Sequence, residues 1–228
     1  MLIKWGSIIV DGSGKLGGHI FSKSRGGNTM RTLARAINPQ TTFQQVIRSR
    51  FTNLSQNWRD LTESQRESWY AAESSFSRTN RFGDVVLLSG KNLYNSLNAQ
   101  LAILGRSYKS IAPMPTEIPK NIVSKVTINM SGEFISIEGD FVAFTQYILV
   151  GTPSVSQGVR NFNDSIRIIS RGASGSGGTD IINGNVLYTN YVKRFGSLNI
   201  GRKLFIGTYG ISESGQRSPI SMVQAVFA

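Results

Sequence analysis

Between residues 41 and 76 the apolar side chains recur at helical intervals. Val46, Ile47, Leu54 and Trp58 lie 3, 4, 11 and 15 positions beyond Phe43, and Phe51 falls on the same side. This spacing predicts a helix over residues 39–60, with Pro39 just upstream and Thr41 and Gln44 at capping-box separation. Thr62-Glu63-Ser64-Gln65 repeats the capping pattern and opens a second helix, whose apolar side is Trp69, Ala72 and Phe76. Only Asp60-Leu61-Thr62 separates the two, which predicts an αα-hairpin. A third helix runs from a Ser89 cap to Leu104, with Leu93, Tyr94, Leu97, Leu101 and Leu104 as its buried stripe and Gly105 as its stop. Such regular periodicity assigns Phe43, Phe51, Trp58, Trp69 and Phe76 to a shared small core.

Pro113, Pro115 and Pro119 interrupt the helical pattern, and alternation at period two follows. Strands are predicted at 123–129, 134–138, 147–150, 166–170, 186–191, 204–209 and 221–227, with turns at Ser131-Gly132 and Glu213-Ser214-Gly215-Gln216. Gly172–Gly178 reads as an exposed flexible loop. Seven short strands in such a stretch are the pattern of an antiparallel β-sandwich. The chain is therefore expected to be α+β: a basic arm at 1–38, helices at 39–110, a Pro-rich linker at 111–120 and a sandwich at 121–228.

The first 38 residues fit neither period. Ile8-Ile9-Val10 and Ile20-Phe21 could pair around Asp11-Gly12-Ser13-Gly14, yet the apolar content is thin for an independent core. This segment is expected to be an arm that orders against something else. Its charge reinforces that view. Residues 1–60 carry nine Lys/Arg and two Asp, with no acid between Asp11 and Asp60, within a chain of net charge +12. Such a surface seeks phosphate, an acidic protein or a membrane surface. The series Lys15, Lys23, Arg25, Arg31 and Arg35 is the candidate contact set. It could meet neighbouring protein subunits, meet DNA through non-specific phosphate contacts, or simply be solvated. Phe21 is the single aromatic within it, so the stacking platforms of a dedicated single-strand binder are missing.

Candidate chemistry is sparse. With no cysteine, thiol nucleophiles, disulfides and thiolate metal sites are excluded, and one histidine excludes a His-pair metal site. His19 sits in the Gly-rich arm, where a catalytic triad would depend on it alone. Asp11-Gly12-Ser13-Gly14-Lys15-Leu16 has Ile9 where a phosphate loop needs Gly and Leu16 where it needs Ser or Thr. A turn explains it better. Glu138 with Asp140 reads as a strand end, and Glu63, Glu67 and Glu73 as the polar side of a helix. No catalytic, cofactor or metal site is expected. No apolar run resembles a leader core or a membrane span, so the chain is expected to be made in a cytoplasm and kept or assembled there.

The stretches GKLGGHIFSKSRGGNTMR, NPQT, NWRDLTESQRESW and LSGKNLYNSLN resemble the N-terminal region of virion structural proteins of tailed phages of Bacteroidetes, including crAss-like phages. FGSLNIGRKLFIGTYGISESGQRSP resembles the fibronectin-III-like or immunoglobulin-like modules attached to them. The resemblance implies a non-enzymatic part of the neck, tail or capsid surface. Its partners would be copies of itself in a symmetric ring and other virion proteins, with no membrane. Assembly would take place in the host bacterial cytoplasm. A DNA-associated protein packaged with or around the genome, and a capsid decoration protein, remain the alternatives.

Overall fold

The structure is a computed structural model that describes residues 2–4, 12–24, 27–35, 37–80, 82–129, 133–141, 146–160, 165–174, 178–199 and 201–226. The chain is mixed α and β, with four helices among the described residues and sheets whose strand pairings are antiparallel. It divides into two compact units, one of residues 1–99 and 108–115, the other of 100–107 and 116–228.

In the first unit, residues read from sequence as an arm pair into a sheet. Strands β1 (Leu2–Ile3), β2 (Gly14–Leu16), β3 (His19–Ser24) and β4 (Gly27–Thr32) lie in the order β1-β4-β3-β2. The tight turn falls at Gly17-Gly18 rather than at the expected Asp11–Gly14, because Leu16 pairs with His19 and leaves only those two residues between them. Gly17 has φ 56°, the left-handed backbone that glycine adopts without a Cβ clash. Ile8-Ile9-Val10 lies outside the described residues.

The helices follow as α1 (Thr42–Asp60), α2 (Glu63–Ala71) and α3 (Gly90–Leu104), with a short hairpin β5 (Arg78–Thr79) and β6 (Val85–Val86) before α3. Both capping-box bonds form at Thr62: its N–H donates to Gln65 Oε1 at 3.0 Å, and Gln65 N–H donates to Thr62 Oγ1 at 3.4 Å. At α1, Thr41 Oγ1 accepts from Gln44 N–H. Leu54, Trp58, Trp69, Leu93, Tyr94 and Leu97 make the core, with Phe76 half-buried against it. Trp69 is fully buried, stands edge-on to Tyr94 at 5.3 Å and donates its indole N–H to the Ser110 carbonyl at 2.8 Å. Phe43 and Phe51 do not join this core: both are about half exposed. Their periodicity is helical, but α2 has nine residues against nineteen in α1 and packs with Leu54 and Trp58 in the second half of the longer helix.

Two further corrections concern α3. Glu73 lies past the end of α2, where its Oε1 accepts the Gly90 N–H at 2.6 Å and places a carboxylate at the positive end of α3. Gly90 is required there, since a Cβ would stand 2.9 Å from the Tyr70 backbone nitrogen. At the other end Gly105 has φ 73°, and the Arg106 N–H reaches back to the Leu101 carbonyl, closing the helix as expected. Leu104, however, leaves the helical core: with Ile103 it packs on Ile148, Val150, Tyr209 and Ile211 of the second unit's own core.

That second unit holds two sheets. One has the order β11-β8-β7, from β7 (Ile122–Asn129), β8 (Phe134–Phe141) and β11 (Gly178–Gly184). The other has the order β10-β9-β12-β13, from β9 (Gln146–Gly151), β10 (Arg167–Ser174), β12 (Lys203–Ile211) and β13 (Ser221–Val226). Alternation explains the burial. Leu149, Leu204 and Ile206 enter a core with Ile135, Ile137, Leu187 and Tyr191, whereas Ile148, Val150, Tyr209 and Ile211 serve the opposite face. Every residue of β12 is buried, so its sheet is covered on both sides.

Residues 186–191, expected as a strand, belong to α4 (Asn185–Phe195). Leu187 and Tyr191, four apart, are its buried side chains, and Gly196 at φ 89° follows its last residue. The Gly172–Gly178 stretch is not simply a loop, since β10 runs through Ser174 and β11 begins at Gly178. The turn between β12 and β13 forms where expected, with Ser212 N–H donating to the Gln216 carbonyl and Gly215 at φ 82°. The Ser131-Gly132 turn lies outside the described residues.

Candidate interaction surface

Antiparallel register sorts the basic residues of the N-terminal sheet between its faces. Lys15 pairs with Ile20, and Ile20 pairs with Arg31, so these three form one cross-strand row on one face. Ser22 and Thr29 continue that face and share a hydroxyl hydrogen bond of 2.7 Å. Lys23 pairs with Asn28, one residue out of phase, and belongs to the opposite face with His19, Phe21 and Met30. Arg35 follows the last strand and is exposed, and Arg25 lies outside the described residues. The five candidate cations are therefore not one patch. Lys15 and Arg31 share one face, and Lys23 lies on the other.

Among the described residues both faces of this sheet carry exposed side chains. Among its described residues no side chain is buried; Ile20, Phe21 and Met30 are half-buried, and Leu16 is 72% exposed. A sheet normally covers one face with a second layer, because half-buried apolar side chains stabilise it only when water is excluded.

One clasp ties the first strand to the hairpin that precedes α3. Lys4 Nζ donates to Asp84 Oδ1 at 3.0 Å and stands 5.2 Å from the centre of the Phe82 ring. Asn80 organises the tip. Its Oδ1 accepts the N–H groups of Phe82 and Asp84, and its Nδ2 donates to Asp84 Oδ2 at 3.0 Å. The Asn80 amide, joined by Lys4, holds the Asp84 carboxyl below the usual 3.8.

The first half of α1 carries a second set of partly exposed apolar side chains. Phe43, Val46, Ile47 and Phe51 are 41–52% exposed, while Leu54 and Trp58 on the same stripe are buried. By helical rotation Arg48 lies beyond one edge of this stripe and half-buried Arg50 falls within it, and Arg48 Nη2 donates to Asn38 Oδ1 at 2.7 Å. A shallow depression of about 340 Å³ continues along the helix, lined by Phe51, Thr52, Ser55, Gln56 and Arg59. A second hollow of about 240 Å³ is lined by Asn57, Asp60, Leu61, Tyr94, Tyr108, Lys109 and Ser110. Burial raises the Tyr94 hydroxyl above its ordinary range, with Tyr108 and Asp60 adding to the shift, so it stays protonated there.

Among the described residues no group of three or more His, Cys, Asp or Glu is placed to hold a metal ion, and no helix is long and apolar enough to cross a membrane. Comparison with protein-family models, curated proteins and solved structures finds no match for this chain.

The sequence located the basic series but carried no sign of its division between two faces, which only strand register decides. It also missed the Glu73 cap on α3, since a carboxylate seventeen residues from its partner leaves no local spacing to read.

Proposed function

We propose that this chain is a non-enzymatic structural subunit of a tailed-phage virion, working in a symmetric ring at the neck or tail. One observation carries the reading: among the described residues of the first 60, the N-terminal sheet has no buried side chain and helix α1 has half of its apolar stripe partly exposed. Both are surfaces that a neighbouring subunit completes. The chemistry of the same surface suits adhesion, because its ionisable groups are dispersed cations instead of a converging acid–base pair.

On this reading the first unit locks subunits together and the second presents a surface. The second unit's two antiparallel sheets about a shared core support a sandwich of immunoglobulin or fibronectin-III kind. The helix α4, and a second apolar cluster on the outer side of the four-stranded sheet, would then be additions to that plan.

A second reading, contact with DNA, is favoured by the Lys15–Ile20–Arg31 row, in which two exposed cations flank half-buried Ile20 on one face. Phosphate contacts of this kind lose affinity steeply with salt. Electron microscopy of the purified full chain tests the ring: closed particles of constant subunit number are expected, and a uniform monomer at high protein concentration overturns it. Retention of DNA that vanishes between low and moderate salt, without ring formation, would establish the second reading instead.

A further inference from the structure

The smaller hollow of the first unit gathers polar groups that do not satisfy one another. Tyr94 is 1% exposed, and its ring is held by two indoles, tilted on Trp58 at 5.1 Å and edge-on to Trp69 at 5.3 Å. Its hydroxyl feels the charges of Tyr108 and Asp60, which line the same hollow, and so lies on that side of the ring. Among the described residues the Tyr94 and Tyr108 hydroxyls, the Asp60 carboxylate and the Lys109 ammonium make no hydrogen bond or ion pair. A buried tyrosine hydroxyl ordinarily has a partner.

The walls are fixed by the fold. Asn98, fully buried on α3, accepts the Lys109 N–H at 2.7 Å and donates to the Lys109 carbonyl at 3.2 Å, while the Ser110 carbonyl holds the Trp69 indole. Asp60 is the last residue of α1, and Leu61 follows it at the corner. A carboxylate at the negative end of a helix is electrostatically unfavourable, so a cation beside Asp60 would offset both the carboxylate and the last carbonyls. An anion in the hollow would meet like charge there. Lys109 is exposed on a flexible stem, and its ammonium can turn to water. The volume of about 240 Å³ is small beside the roughly 300–1,000 Å³ of sites for drug-sized ligands, and suits one long side chain.

We propose that the hollow lined by Asp60, Leu61, Tyr94, Tyr108 and Lys109 receives a single cationic side chain, an arginine guanidinium or a lysine ammonium, from a neighbouring protein. The head donates to the Asp60 carboxylate and to the two phenol oxygens, which accept as well as donate. The methylene stem lies along Leu61 and the tyrosine rings, as long basic side chains do on apolar surface. Two sources have this chemistry: a second copy of this chain, whose Lys15, Arg31 and Arg35 are exposed, and a different protein. The site stands apart from the ring-subunit reading, and only the first source rests on it.

The experiment titrates the full-length chain with side-chain mimics, n-butylguanidinium and n-butylammonium, and follows the tyrosine ring resonances by NMR. Both cations should shift Tyr94 and Tyr108 saturably at millimolar concentration, and butyrate and butanol should not. Asp60→Asn should weaken the response about tenfold or more, with the thermal midpoint of the parent retained. Lys109→Met should tighten it about two- to fivefold, because a like charge leaves the rim. Sedimentation then separates the sources: self-association weakened by Asp60→Asn assigns the cation to a second copy, and self-association unchanged by it assigns the cation to a different protein. Tyrosines unmoved by either cation in the parent would overturn the site, and so would an equal response to butyrate or an Asp60→Asn variant that binds as the parent does. Weaker cation binding in Lys109→Met would overturn it too, since that variant then reports an anion site. None of these failures bears on ring formation, which electron microscopy reads independently.

Discussion

Phe43 and Trp58 lie fifteen positions apart on one stripe of α1, yet Phe43 is 51% exposed and Trp58 is 7% exposed. The difference separates two environments on one periodic pattern: Trp58 sits in the helical core, and Phe43 stays half exposed. Trp58→Ala is expected to cost about 3–5 kcal/mol, the range for deleting a large buried aromatic. Phe43→Gln should change stability by no more than about 0.5 kcal/mol, as surface changes usually do, while weakening self-association. Denaturant titrations of both variants beside sedimentation of the second measure this. Equal destabilisation by the two would show that Phe43 is covered within its own subunit.

Trp69 gives a sharper measure of the helical core, because its packing and its hydrogen bond can be separated. Trp69→Phe keeps most of the apolar volume but leaves the Ser110 carbonyl without its 2.8 Å donor. A loss of about 1–3 kcal/mol is expected for an acceptor left unsatisfied, against about 3–5 kcal/mol for Trp69→Ala. Equal stability of the parent and the Phe variant would mean that water replaces the indole N–H.

Gly90 stands where α3 starts against the Trp69–Tyr70 backbone. Gly90→Ala would put a Cβ 2.7 Å from Tyr70 Cδ1 and 2.9 Å from its nitrogen. The ring could turn aside, but the backbone could not without moving α2. A cost of about 1–3 kcal/mol is expected, as for overpacking of a tight site, and the thermal midpoint should fall. An unchanged midpoint would require α2 and α3 to separate freely.

Acid should release the Lys4–Asp84 clasp. The native Asp84 carboxyl titrates below the ordinary 3.8 because Asn80 and Lys4 favour its charged form. The unfolded chain therefore takes up the proton first as pH falls, so the contribution is complete above 3.8 and disappears as pH drops through the lower native value. NMR titration of the Asp84 carboxyl should give a midpoint below 3.8, and Lys4→Met should return it upward. A midpoint at the ordinary value in the parent would show the clasp to be unformed in solution.

The faces of the N-terminal sheet should respond differently to loss of charge. Lys15 and Arg31 flank Ile20 on one face, and Lys23 lies on the other. Lys15→Gln with Arg31→Gln should act as one lesion on whichever partner that face meets, read as oligomer mass or DNA retention. Lys23→Gln should have a separate and additive effect. Strong non-additivity between Lys23 and Arg31 would place them against one shared partner group and contradict the register.

Local chemistry made the helical elements legible. The reciprocal bonds at Thr62, the Thr41 cap and the Gly105 stop each depend on residues within a few positions of one another, so spacing alone reveals them. Most strands of the second unit were also readable, because alternation survives wherever a strand has two different faces. Residues 186–191 were not, since Val186, Leu187, Tyr188 and Tyr191 suit either period until Leu187 and Tyr191 turn toward one core. Long-range pairing decided the remainder. The sequence determined that α1 would carry an apolar stripe and that the first 60 residues would be basic. Only the tertiary structure decided that α2 covers half of that stripe, and that strand register puts Lys15 with Arg31 and turns Lys23 away. Both outcomes depend on which distant segments meet, and neither periodicity nor charge along a chain specifies its neighbours in space.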